Sequence, residues 1–157
     1  MSQHHTVDLS SLSDLTLARV AYHEAGHAVA FLAAGMRLDR IVGGHGHGAC
    51  HLVRMAEVPI GGYLAALAAG QVADERWSGR GWDAYVGGGA DRRRAHDIHL
   101  AVHGTRGSWA AWEDAAGRVL DARWGAVDRL AGALIDMWSV GDWVMAGDQV
   151  EELVASA

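Results

Sequence analysis

His23, Glu24 and His27 are the residues whose types and spacing speak most directly of chemistry in this chain. They stand in the run Ala21-Tyr22-His23-Glu24-Ala25-Gly26-His27-Ala28-Val29, an H-E-x-x-H sequence with helical flanks. At about 3.6 residues per turn, positions four apart lie one above the other, so both imidazoles reach a single metal ion. Glu24 sits about a third of a turn away. It is too far round to ligate comfortably, but placed to hydrogen-bond a water on the same metal, as a general base does. The plainer alternative is a polar helix face whose two histidines sit in solvent or donate to backbone carbonyls.

A catalytic zinc takes three protein ligands and keeps one position open. The third donor must therefore come from elsewhere, and Asp74, Glu75, Asp83, Asp91, Asp97 and the remaining histidines are all candidates. Spacing alone does not choose among them. Each carboxylate reads equally as a solvated helix-end charge, and Asp91, near a helix start, has a capping role open to it. His45, His47 and His51 suggest a second metal site. They read better as incidental to a solvated glycine-rich turn, because flexible ligands lose ordering entropy and no carboxylate accompanies them.

The elements that must position these groups are mostly helical, with one proline and 21 glycines as punctuation. A first helix is expected from a cap at Ser13 or Asp14 to about Ala34, with Gly35 just beyond its end. Ala18, Val20, Ala21, Ala28, Val29 and Phe31 cover much of its circumference, so it should be central and buried. Gly26 within it costs about 1 kcal/mol relative to Ala and would let another backbone, or a substrate, come close. Ile41-Val42 and residues 50–53 are short, partly β-branched runs around a glycine-rich turn, which predicts a hairpin or two short strands with a flexible turn. Ile41 and Val42, beside the metal cleft, are expected to bind an extended peptide by edge pairing.

Further on, a second helix runs from Gly62 toward Trp77, and residues 80–89 read as a glycine-rich surface loop near the site. A third helix is expected over residues 90–102, with Ala95, Ile98 and Val102 as its apolar face. Ser108 caps a fourth that carries Trp109, Trp112, Ala116, Val119 and Leu120. A fifth runs through Val127, Leu130, Leu134 and Trp138. Asp148 with Glu151 makes a capping-box-like start for a last short helix. The seven tryptophans read as packing anchors rather than a ligand box.

Composition narrows the function classes. The 157 residues fit one domain with a core of its own, residues 1–10 being expected as a flexible leading segment. A net charge of −6 argues against a nucleic-acid groove or an anionic membrane surface as the main partner. Lone Cys50 forms no internal disulfide, and neither a signal peptide nor a membrane-length apolar run is present, so the expected location is cytoplasmic. The helices are too short and too charged for an intramembrane protease.

In four places, taken in order, the chain resembles the peptidase domain of the FtsH family of ATP-dependent zinc metalloproteases. Tyr22-His23-Glu24-Ala25-Gly26-His27-Ala28 is similar to its zinc helix. Gly70-Gln71-Val72-Ala73-Asp74-Glu75-Arg76-Trp77-Ser78-Gly79 resembles its G-R-A-A-E-E-x-x-x-G segment. Gly88-Gly89-Ala90-Asp91-Arg92-Arg93-Arg94-Ala95 is similar to its G-A-x-x-D-x-x-x-A-T segment, two residues shorter before the Asp and with His96 in place of the Thr. Leu130-Ala131-Gly132-Ala133-Leu134 and Gly147-Asp148-Gln149-Val150 resemble its closing L-A-x-x-L and G-x-E-V pattern. Together the four span most of residues 18–154.

The resemblance implies that Asp91 is the third ligand beside His23 and His27, that Glu24 is the catalytic base, and that one zinc ion is bound. It implies a compact, mainly α-helical, zincin-like domain with a small hairpin or sheet beside the cleft. The implied activity is metalloendopeptidase cleavage of unfolded or disordered polypeptides. No Walker A motif or ATPase module is present, so ATP should neither bind nor stimulate, and folded substrates would need a separate unfoldase or adaptor. The competing reading is a catalytically silent, zinc-stabilised peptide-binding module. An intact Glu24 argues against it, since a structural site needs no base and favours four protein ligands. Two histidines and a carboxylate also suit iron(II). Oligomeric state and cleavage preference are not written in the sequence.

Overall fold

A computed structural model describes residues 12–44, 46–79 and 88–156. Its elements run α1 (Leu12–Ala33), β1 (Leu38–Gly44), β2 (His47–Leu52), α2 (Ile60–Ser78), α3 (Gly88–His103), α4 (Trp109–Asp121), α5 (Trp124–Ser139), β3 (Val144–Ala146) and α6 (Gly147–Ala155). The fold is thus mainly helical with one small sheet. No helix among the described residues is long and apolar enough to cross a membrane.

α1 is the axis of the packing. Leu17, Ala18, Val20, Ala21, Ala25, Ala28, Val29 and Phe31 are all buried, because α2 and α5 flank the helix and the sheet covers its remaining side. Ser13 and Asp14, where a cap is expected, are already helical, as is Leu12 before them. It ends as its glycine dictates: Gly35 takes φ +81°, its N–H meets the Leu32 carbonyl at 3.0 Å, and the Met36 N–H meets that of Phe31 at 3.0 Å. That pair of bonds satisfies the last carbonyls and turns the chain back as β1. Gly26 allows a close approach, and the approaching backbone belongs to α2. A Cβ there would lie 2.5 Å from both the Ala69 carbonyl oxygen and the Ala73 methyl.

α2 supplies the complementary small face, with Ala66, Ala68, Ala69 and Ala73 buried against α1. It stops at Gly79, in the left-handed region at φ +64°. A buried ion pair ties the same two helices: Arg19 Nε donates to Asp74 Oδ1 at 2.7 Å and Nη2 to Oδ2 at 2.5 Å. On the other flank, Val127, Leu130, Leu134 and Trp138 form one fully buried seam along α5. Ser108 caps α4, its hydroxyl accepting from the Ala111 N–H at 3.3 Å.

β1 lies in the middle of an antiparallel sheet of order β2-β1-β3. Ile41 faces Cys50 on one side and Met145 on the other, and Val42 faces Ala49 and Val144. The hairpin is where the sequence puts it, but its first strand is not an edge.

Three other expectations are corrected. α3 is already helical at Gly88, ahead of Ala90, and its apolar face stops short, since Val102 is 51% exposed. The N-cap of α6 is Ala146, whose N–H is taken by the Gln149 side-chain oxygen at 3.1 Å, while Asp148 accepts the adjacent Gln149 N–H instead. Of the tryptophans, Trp109 and Trp138 are buried anchors but Trp143 is 42% exposed. The loop expected over residues 80–89 falls mostly outside the described residues, as do Asp83, His45 and the leading segment.

Candidate metal centre

The site is built on the middle of α1. His23 and His27, four residues apart, stand on the helix face turned toward β2 and α3, with ring centroids 4.6 Å apart and planes at 83°. Both are buried. The tautomer of His27 follows from its neighbour. Nδ1 lies 2.7 Å from the Ala66 carbonyl oxygen, which can only accept, so Nδ1 carries the proton and Nε2 faces the cleft. Phe31 stacks along the same ring at 6.1 Å. Gly70 on α2 makes room for it: a Cβ there would stand 2.3 Å from His27 Nε2.

Asp91, in the first turn of α3, closes the third side. Its Oδ2 is 3.3 Å from His23 Nε2 and 3.2 Å from His27 Nε2, and the two nitrogens are 2.9 Å apart. Ligands about 2.0–2.1 Å from a tetrahedral zinc are separated by about 3.3 Å. The three donor atoms therefore already stand near the edges of such a tetrahedron, and their chemistry, two imidazoles and a carboxylate, fits zinc.

The electrostatics point the same way. Burial pulls the pKa of His27 down, but the hydrogen bond and charge of Asp91, the charge of Glu24 and the Ala66 carbonyl outweigh it and push it up to about 9. Burial pushes the Asp91 carboxyl up, yet the hydrogen bonds from His23 and His27 and their positive charge hold it well below the usual carboxylate range. The pocket thus gathers donors that favour a cation among them, and a divalent metal would displace the proton.

Glu24 is buried and lines the same cleft, backed by β2. Gly48 lets the strand approach, since a Cβ there would stand 2.6 Å from Glu24 Cγ. The Cys50 thiol lies 3.4 Å from Glu24 Oε2, to which it donates. Burial and the negative charges of Glu24 and Asp91 push that thiol well up, so it stays a protonated donor.

The cleft holds about 670 Å³. Its floor is α1, one wall is the whole of β2 from His47 to Leu52, and the other is α3 through Ala90, Asp91 and Arg94. Here the expectation for Ile41 and Val42 is corrected. Both sit on the central strand with partners on each side, Ile41 is buried, and neither lines the cleft. Among the described residues, the sheet edge beside the metal ligands is that of β2.

The other candidates for third ligand lie elsewhere. Asp74 is engaged by Arg19, Glu75 accepts from Gln71 at 2.8 Å, and Asp97 is exposed on α3. His47 and His51 line the cleft too, but among the described residues the only cluster of three such donors is His23, His27 and Asp91.

The sequence reading missed the supporting groups. A carbonyl such as Ala66 O leaves no trace in a sequence, and Cys50 gives none beyond its type. Gly70 does leave one: an isolated glycine within a helical pattern marks a packing or functional constraint. No protein-family model matches the chain, and no curated protein matches it either.

Proposed function

We propose that the chain is a zinc-dependent metallopeptidase of zincin-like build, cutting unfolded or disordered polypeptides without ATP hydrolysis of its own. The observation that carries the reading is the meeting of His23, His27 and Asp91 donor atoms within 3.3 Å of one another, with Glu24 lining the same cleft. When bound, a zinc ion held by two neutral imidazoles and one carboxylate keeps net positive charge and supplies Lewis-acid activation of water and of a scissile carbonyl.

The chain's own residues do the rest. Ala66 holds His27 with Nε2 toward the cleft, and Asp91 brings the third donor from α3. Glu24 takes the proton from the attacking water and delivers it to the leaving amine, while the Cys50 thiol steadies its carboxylate. The open edge of β2 gives an extended chain main-chain partners along the cleft, which favours unfolded segments over folded ones. Folded substrates would then come through a separate unfoldase or adaptor. The unpaired Cys50 suits a reducing, cytoplasmic setting.

The test is metal content and cleavage of a casein-type unfolded substrate, measured on the same preparations of wild type, Asp91→Ala and Glu24→Gln. The expected result is about one zinc per chain and turnover in wild type, loss of both in Asp91→Ala, and zinc without turnover in Glu24→Gln. Turnover retained in Glu24→Gln would sink the mechanism. Zinc bound by a wild type that leaves every unfolded chain intact would sink the activity and leave a peptide-binding module.

A further inference from the structure

We propose that Arg94 and Tyr63 form a carboxylate-binding subsite in the cleft, so that the preferred ligand presents an acidic group close to the metal. As a statement about substrates this rests on the peptidase reading; as a statement about binding it does not.

Arg94 follows Asp91 by three positions on α3, which puts the two on the same side of the helix, and it lines the cleft one turn beyond the ligand. Its Nε–H donates to the Tyr63 hydroxyl at 3.0 Å, and its guanidinium carbon lies 5.9 Å from the Tyr63 ring centroid. Tyr63 is itself buried on α2 and packs against Phe31 at 5.5 Å, the same Phe31 that stacks on His27. The arm of the exposed Arg94 is thus tethered by one hydrogen bond to buried aromatic residues continuous with the metal site. Only one of its five N–H donors is used there, and no ion pair with a described residue takes the others. The two terminal nitrogens remain as a planar fork, whose geometry matches a carboxylate bidentately.

Charge gives the second argument. Among the described residues, Glu24 and Asp91 are the acids lining the cleft, and a divalent metal balances the pair. Arg94 is the only arginine or lysine among the described residues lining it, so it sets the sign of what is left over. A ligand carboxylate meets a net positive wall opposite β2. That carboxylate has two possible sources: an Asp or Glu side chain next to the scissile bond, or the terminal carboxylate of the chain.

The experiment measures binding to zinc-loaded Glu24→Gln protein by fluorescence anisotropy, so that turnover is not the readout. One arm compares C-terminally amidated, mixed-sequence peptide libraries with a fixed central Glu or a fixed central Gln. The other compares libraries without acidic side chains, with a free or an amidated terminus. The proposal expects one arm to show about tenfold tighter binding of the carboxylate form at low salt. The preference should fade as salt rises, vanish in Arg94→Gln, persist in part in Arg94→Lys, and weaken in Tyr63→Phe, which keeps the ring and loses the acceptor. The arm that responds identifies the source. A preference that survives Arg94→Gln overturns the subsite, as does equal binding, or none, in both arms. If the preference holds and wild type cuts none of these libraries, the subsite stands and the peptidase reading falls.

Discussion

Two helices of the chain, α1 and α3, each carry a histidine pair at four-residue spacing, and only one of these pairs is a metal-site candidate. His23 and His27 on α1 have ring centroids 4.6 Å apart; His99 and His103 on α3 have theirs 4.5 Å apart. Even the tautomer is fixed in the same way, with His27 Nδ1 bonded to the Ala66 carbonyl and His99 Nδ1 to that of Thr105, each at 2.7 Å. What differs is the company. The first pair is buried and meets the Asp91 carboxylate, whereas His103 is exposed and no third donor among the described residues joins His99 and His103. Four-residue spacing on a helix brings two imidazoles together. A carboxylate from a distant element and the exclusion of water make the difference between a pair and a centre.

The comparison can be broken or sharpened by experiment, beginning with the largest effect. Glu24→Gln should lower turnover by about 10²–10⁴-fold with zinc retained, measured as initial rate and metal content together. Asp74→Ala should cost about 3–5 kcal/mol of stability in denaturant unfolding, because it takes the buried carboxylate away from Arg19. Its zinc content at low temperature should stay that of wild type, and a loss there would return Asp74 to the list of ligands. His27→Ala should weaken zinc by more than about a hundredfold in competitive titration.

The pH dependence is smaller and has opposite signs with and without metal. With His27 raised from 6.5 to about 9, the stability it gives the chelator-treated protein is fully present below pH 6.5 and is lost as pH rises through about 9. The Asp91 contribution is present above its ordinary value of 3.8 and lost as pH falls further. Thermal melts of that protein should therefore favour pH 4–6.5 over pH 9.5 as far as this pair is concerned. Zinc affinity should instead rise about tenfold per pH unit as the proton leaves. The smallest effect belongs to the second pair: His103→Ala should leave the tight zinc site unchanged, and a loss matching that of His27→Ala would erase the contrast.

Local rules carried far into the fold. The end of α1 at Gly35, the hairpin, the Ser108 cap and the Val127–Leu130–Leu134–Trp138 seam are all readable because each depends on residues a few positions apart. Pairing order is not local. Nothing in Ile41-Val42 announces that residues 144–146 return to cover its second side, so an interior strand read as an edge. The site divides the same way. His23, Glu24 and His27 are legible from their spacing, but spacing left Asp91 level with Asp74, and only the family likeness preferred it. What separates the two carboxylates is a through-space neighbour, Arg19 for one and the imidazoles for the other. Gly70 and Gly48 would have been legible had each glycine been asked which group it lets in.

The placement of Asp91 on α3 has a consequence for traffic. Ala95 is the only fully buried residue of that helix among those described, and Leu100 and Val102 are 47% and 51% exposed, so α3 is held far more lightly than α1. Local opening costs least where buried apolar contact is least. Metal should therefore come and go by transient release of α3, without melting the helix that carries both imidazoles. Amide hydrogen exchange would register this as slowing confined to α3 when zinc is added, with α1 unchanged. The least anchored helix would then be the gatepost that sets how long an ion stays.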